Sequence, residues 1–251
     1  MKKLIIAIAT CMIFGMADAQ DRRQMGGIYH AYPYASKADN LVDDIPEGYT
    51  PFYLSHYGRH GSRWMTNDER YEWLYSYFAD RKNLTPLGRK VEKAMRKVLD
   101  NARGNGGKLS RLGAIQHEGI ARRMYSRLPQ IFAPGNRVKA RASVVDRCVK
   151  SMQAFTAMMQ SLQPALEMDI AADSADMAWI AYTAPEVKEL EKSLNIVART
   201  NPERFMAQLF KDPSRVAEHM RFMSEMQAVT SSLQDVGLNF KRYPKDIETL
   251  F

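Results

Sequence analysis

With 251 residues, 45% of them hydrophobic, the chain is long enough to bury a core as one large domain or two small ones, which excludes a disordered tail. Its 36 lysines and arginines outnumber 28 acidic residues for a net charge of +8, which favours anionic ligands without choosing among nucleic acid, lipid headgroups and small phosphoesters. A basic solvated surface carries the same charge.

Lys2 and Lys3, an apolar run from Leu4 to Met16 and the small-x-small triplet Ala17-Asp18-Ala19 predict a secretory signal peptide over residues 1–19, too short for a stable membrane span. A lipoprotein box at Cys11 is the minority reading. Cleavage after Ala19 leaves Cys148 as the one cysteine, so no internal disulfide forms and the core alone must hold the fold. With no later long apolar run, the expectation is an exported protein, periplasmic or extracellular, without a membrane span.

Residues 20–50 contain Gly26-Gly27, Pro33, Pro46 and Gly48 and read as an extended lead-in, with His30 as a hydrogen-bonded loop histidine. The aromatic run 51–57, bounded by Pro51 and Gly58, predicts a buried strand, with His56 structural. Where that strand ends stands Arg59-His60-Gly61-Ser62-Arg63. Two guanidinium forks within five residues make a cradle for phosphate oxygens, and His60 between them is a candidate nucleophile, kept neutral near pH 7 by the neighbouring cations. Gly61 is expected to let the backbone pass close to a bound anion.

Residues 68–80 predict a helix whose Tyr71, Trp73, Tyr75, Tyr77 and Phe78 form core near the motif. A pattern then occurs twice, Leu84-Thr85-Pro86-Leu87-Gly88 and Leu109-Ser110-Arg111-Leu112-Gly113, each predicting a helix capped by its hydroxyl residue. In the second helix Leu112, Ile115, Ile120, Met124 and Leu128 form the apolar stripe, and His117 is expected on the surface. Residues 137–142 predict a second strand, followed by a turn and a helix from about Asp146 to Leu162. Arg141 and Arg147 flank that turn, and Arg147 on the helix start is the third cationic candidate for a phosphate site. From Glu167 on, strand-like pieces give way to methionine-rich helices at about 185–197, 202–211 and 213–234, with Met206, Met220, Met223 and Met226 as core filler. A last helical start falls at 244–251. His219 reads as a helix residue without a catalytic task.

Three ordered motifs, Arg59 to Arg63, Leu109-Ser-Arg-Leu-Gly-Ala-Ile-Gln116 and Arg141-Ala-Ser-Val-Val-Asp-Arg147, resemble the acid phosphatase branch of the histidine phosphatase superfamily. The paired helix starts and the segment through Arg122-Arg123-Met124-Tyr125 are most similar to bacterial multiple inositol polyphosphate phosphatases. The resemblance implies an α/β fold, a histidine-phosphatase-like core sheet flanked by helices with a helical cap insertion. Residues 20–170 would form the N-terminal part of the core, and 171–251 a mostly helical cap region.

It also implies hydrolysis of phosphomonoesters such as inositol polyphosphates, phytase-like, through a phosphohistidine on His60. Arg59, Arg63 and Arg147 would hold the phosphoryl oxygens, with no metal and no cofactor. Nucleic-acid binding rests on net charge alone, and export argues against such a partner. The superfamily's second motif, a His-Asp or His-Ala-Glu that protonates the leaving oxygen, has no counterpart in this sequence. The chain is accordingly expected to end before the rest of the core. The alternative is a non-catalytic phosphate-binding module or an inactive fragment.

Overall fold

The structure is a computed structural model that describes residues 45–180, 184–193, 202–226 and 228–229. The predicted signal peptide, His30 and the helical start at 244–251 lie outside the described residues. In chain order the elements are α1 (Glu69–Ser76), α2 (Pro86–Ala102), α3 (Arg111–Arg127), β1 (Arg137–Arg141), α4 (Asp146–Leu162), β2 (Glu167–Ala171), α5 (Met177–Ile180), α6 (Pro185–Ser193) and α7 (Pro202–Leu209). Residues 219–226 are also helical. Among the described residues, no helix is long and apolar enough to cross a membrane.

The α/β character comes from one unit. β1 and β2 pair in parallel, from Arg137 opposite Glu167 to Arg141 opposite Ala171, and α4 supplies the crossover that a parallel pair requires. α4 packs along α3, and Ala121, Phe132, Met159 and Leu166 form the buried cluster beneath them.

A second, larger cluster lies under α1, α2 and α7. On α2, Val91, Met95, Val98 and Ala102 recur at three- and four-residue spacing and are buried on one face. Each large aliphatic side chain so buried contributes about 1.5–3 kcal/mol. Against that face pack Tyr71 and Leu74 of α1, Phe205, Met206 and Leu209 of α7, and Phe222, Met226 and Val229 beyond it. Met223 packs partly buried on the same cluster, so of the methionines expected as core filler Met206, Met223 and Met226 join it and Met220 does not. Glu92 is the charged member of this interior. The Tyr75 hydroxyl and Arg96 each donate to it at 2.8 Å, and these bonds hold its carboxyl below the usual range although burial works the other way.

The start of α2 receives a returning segment of chain. Thr85 caps the helix by accepting from Gly88 N–H at 2.9 Å, while its own hydroxyl donates to Gln208 carbonyl at 2.6 Å and its N–H to Leu209 carbonyl at 3.0 Å. Leu84 forms an isolated antiparallel bridge with Phe210. A Cβ on Gly88 would collide with Leu209 carbonyl, so the glycine is what lets the two backbones meet.

The strand predicted over 51–57 is not formed. The run is non-helical, belongs to no ladder, and leaves Phe52 93%, Tyr53 74% and Tyr57 80% exposed. A strand is a pairing, and among the described residues no strand pairs with this one; β1 pairs with β2 alone. Aromatic content fits a strand and cannot supply its partner. Of the 213–234 helix, the described residues show a single 3₁₀ turn (Pro213–Arg215) and helix at 219–226 and 228–229.

Candidate functional site

The second copy of the repeated pattern builds the site. Ser110 caps α3 by accepting from Gly113 N–H at 3.1 Å, and its hydroxyl and N–H both donate to Ser62 carbonyl, at 2.9 and 3.0 Å. Leu109 forms an isolated bridge with Arg63, and Trp64 N–H donates to Lys108 carbonyl at 3.1 Å. The loop 59–63 is thereby laid across the N-terminus of α3. Cβ atoms at Gly61 and Gly113 would strike the carbonyls of Gly113 and Ser62 respectively. Contact with α3 therefore by itself requires a glycine at position 61.

The loop's remaining backbone groups find side chains on two helices. Gly61 N–H donates at 3.0 Å to the hydroxyl of buried Ser151 on α4, and that hydroxyl donates at 2.8 Å to Arg147 carbonyl. Ser62 N–H donates at 2.8 Å to Oε1 of Gln116 on α3. His117, expected on the surface, is 8% exposed and hydrogen-bonds the backbone of Arg59. Gly113 lowers the profile of one face of α3, the loop settles there, and Gln116 and His117, one turn further along that face, become its hydrogen-bonding partners.

His60 is part-buried, and its Nδ1 lies 2.8 Å from Gly61 carbonyl. A carbonyl only accepts, so Nδ1 carries the proton and the Nε2 lone pair is left available. Burial lowers the pKa of His60 below its ordinary value, and the charges of Arg147, Arg59 and Arg63 push it further down against the bond to Gly61. The same forces act on Arg63, lowered first by burial and then by repulsion from Arg147 and Arg59. Nε of Arg63 and Nε of Arg147 are both buried and meet no acceptor among the described residues. Mutually repelling cations with unsatisfied buried donors are complementary to an oxyanion with several acceptor oxygens.

Beside His60 opens a cavity of about 570 Å³. Arg59 and His60 line it; Arg63 and Arg147 do not. Its walls mix apolar and aromatic groups such as Tyr53, Val138 and Phe155 with the cationic Arg137, Lys139 and Arg141. Among the described residues no carboxylate lines it. His56 is on the lining, stacked on Phe155 at 6.4 Å between ring centroids. Arg141 is committed to structure, bonded to Asp169 at 2.9 Å with Asp176 at 3.5 Å. His219 lies elsewhere: Glu203 and the carbonyls of Pro213 and Val216 engage both its ring nitrogens, and the bond to Glu203 raises its pKa.

Of the residues singled out from sequence, His60, Arg59, Arg63 and Arg147 are thus brought into one electrostatic neighbourhood. Gln116, His117 and Ser151 are the polar groups that sequence reasoning passed over. The signal for them was a glycine at Gly113 facing the motif glycine Gly61, visible only once the two are paired in space. A family model described as histidine phosphatase superfamily (branch 2) matches residues 58–247. No curated protein matches the chain.

Proposed function

The chain belongs to the histidine phosphatase superfamily, branch 2, and from that premise we propose that it transfers the phosphoryl group of a phosphomonoester to His60 and on to water. Nε2 attacks phosphorus and the bond from phosphorus to the ester oxygen breaks. Water then attacks the phosphohistidine, the phosphorus–nitrogen bond breaks with its electron pair returning to Nε2, and inorganic phosphate leaves. Arg59, Arg63 and Arg147 hold the non-bridging oxygens. Preorganised donors of this kind are each worth roughly 100- to 1000-fold in rate. The observation that carries the reading is the His60 imidazole, with Nδ1 bonded to Gly61 carbonyl and three guanidinium charges around it.

The organic part of the ester sits in the neighbouring cavity, of a size usual for small-molecule sites. Arg59, Arg137 and Lys139 on its lining favour a substrate carrying further phosphates, and we propose an inositol polyphosphate as the class. We further propose export of the chain after removal of residues 1–19.

No carboxylate among the described residues lines the cavity, and we propose that the leaving oxygen departs without a positioned acid, a group that typically supplies about 100- to 10,000-fold. Esters with acidic leaving groups are spared that requirement. The test is acid-quenched labelling of the full chain with radiolabelled donors. An aryl phosphate such as 4-nitrophenyl phosphate should phosphorylate His60 about 100-fold or more faster than an alkyl monoester. A folded wild type that takes no more label than its His60→Ala control, with anion binding retained, would favour the second reading, a non-catalytic phosphate-binding module.

A further inference from the structure

We propose that Gln116 is a positioning residue that sets the tautomer of His60 through the single peptide unit joining Gly61 to Ser62. The proposal rests on the phosphatase reading of His60. The carbonyl of that peptide belongs to Gly61 and accepts from Nδ1 of His60 at 2.8 Å. Its N–H belongs to Ser62 and donates to Oε1 of Gln116 at 2.8 Å. Two hydrogen bonds thus sit at opposite ends of one amide, and each polarises the amide in the sense that strengthens the other. A backbone N–H requires an acceptor, which fixes the Gln116 amide with its oxygen toward the loop.

The neighbouring groups are already held by others. Gly61 N–H is bonded to Ser151, and Ser62 carbonyl to the N–H and hydroxyl of Ser110. Gln116, 2% exposed on the inner face of α3, is the partner for the N–H between them. Without it that peptide is free to rotate, and Nδ1 of His60 loses its acceptor. An imidazole with no acceptor at Nδ1 relaxes toward the Nε2–H form, whose lone pair is on the nitrogen facing away from phosphorus. Holding a histidine in the wrong tautomer costs roughly 10,000-fold in a serine protease triad, which bounds the effect from above.

The experiment uses the full chain labelled with ¹⁵N-histidine. Ring nitrogen shifts report the tautomer of His60 without reference to activity, and the shifts of His219, remote from the site, report that the fold is intact. Wild type should show the Nδ1–H form. Gln116→Met should lower the ratio of Nδ1–H to Nε2–H by about 3- to 10-fold, the equivalent of one neutral hydrogen bond. Its rate of His60 phosphorylation at saturating 4-nitrophenyl phosphate should fall at least as far, with KM changed less than about twofold because the arginines are untouched. Gln116→Glu, whose carboxylate still accepts from Ser62 N–H, should restore the wild-type tautomer.

An unchanged ratio in Gln116→Met, or failure of Gln116→Glu to restore it, overturns the proposal. Should Gln116→Met not fold, Gln116→Asn, whose shorter amide stops one methylene away, is read in its place by the same criteria. A wild-type chain with the Nδ1–H form that takes no label on His60 sinks the nucleophile reading, while the tautomer arms still decide the part played by Gln116.

Discussion

Burial and the charges of Arg147, Arg59 and Arg63 together keep His60 neutral to lower pH than an ordinary histidine. The consequence is a pH profile with a defined sign. The rate of His60 phosphorylation should be level through neutrality and fall only as pH drops through the lowered pKa, below about 6.5. Replacing Arg147 with methionine removes one of the lowering charges, so the acid limb should move to higher pH while the plateau falls roughly 100- to 1000-fold. A profile already falling at pH 7.5 in wild type would count against a neutral nucleophile at His60. Arg59, His60 and Arg63 were singled out in the sequence because they stand within five positions, and Arg147 because it stands at a helix start. Gln116, His117 and Ser151 were not. A polar residue on an amphipathic helix faces water by default, and which face is covered was decided by the meeting of Gly61 with Gly113, a contact between residues 52 positions apart.

One device serves twice at the level of elements. In Leu84 to Gly88 and in Leu109 to Gly113, the leucine bridges an incoming strand-like segment, the hydroxyl residue both caps its helix and donates to that segment, and the glycine admits the segment's carbonyl. The first copy docks residues 208–211 from the end of α7; the second docks the loop that carries His60. The caps could be read from sequence, and the docking could not, since the incoming segments share no pattern. The two copies should separate in experiment. Thr85→Ala and Ser110→Ala should each cost about 1 kcal/mol in denaturant unfolding. Orthovanadate affinity, measured by calorimetry, should fall for Ser110→Ala and stay within twofold of wild type for Thr85→Ala. Equal affinity in the two variants would mean that the α3 cap does not hold the phosphate loop in place.

Across the whole molecule, histidines of opposite sign sit in different places. His60 and His117 are lowered mainly by burial, on the side of α3 and α4. For His117 burial is the largest cause, and the neighbouring His56 and His60 push in the same direction. His219 is raised by its bond to Glu203 and by the carbonyls of Pro213 and Val216, and this pairing ties α7 to the helical residues 219–226. For a group whose folded pKa is lowered, the unfolded chain binds more protons, so its contribution is complete above the unfolded value of about 6.5 and is lost as pH falls through the folded pKa. For His219 the folded chain binds more, so its contribution is complete below about 6.5 and is lost as pH rises through its raised pKa. The two trends oppose each other, and thermal stability should pass through a maximum near pH 6.5 instead of rising steadily toward neutrality. His219→Ala removes the second trend alone. Differential scanning calorimetry of that variant from pH 5 to 8.5 should show a lower Tm at pH 6, a smaller deficit at pH 8, and an unaltered acid limb. A deficit that is the same at both ends would mean that the imidazole stabilises α7 by packing, with its charge contributing nothing.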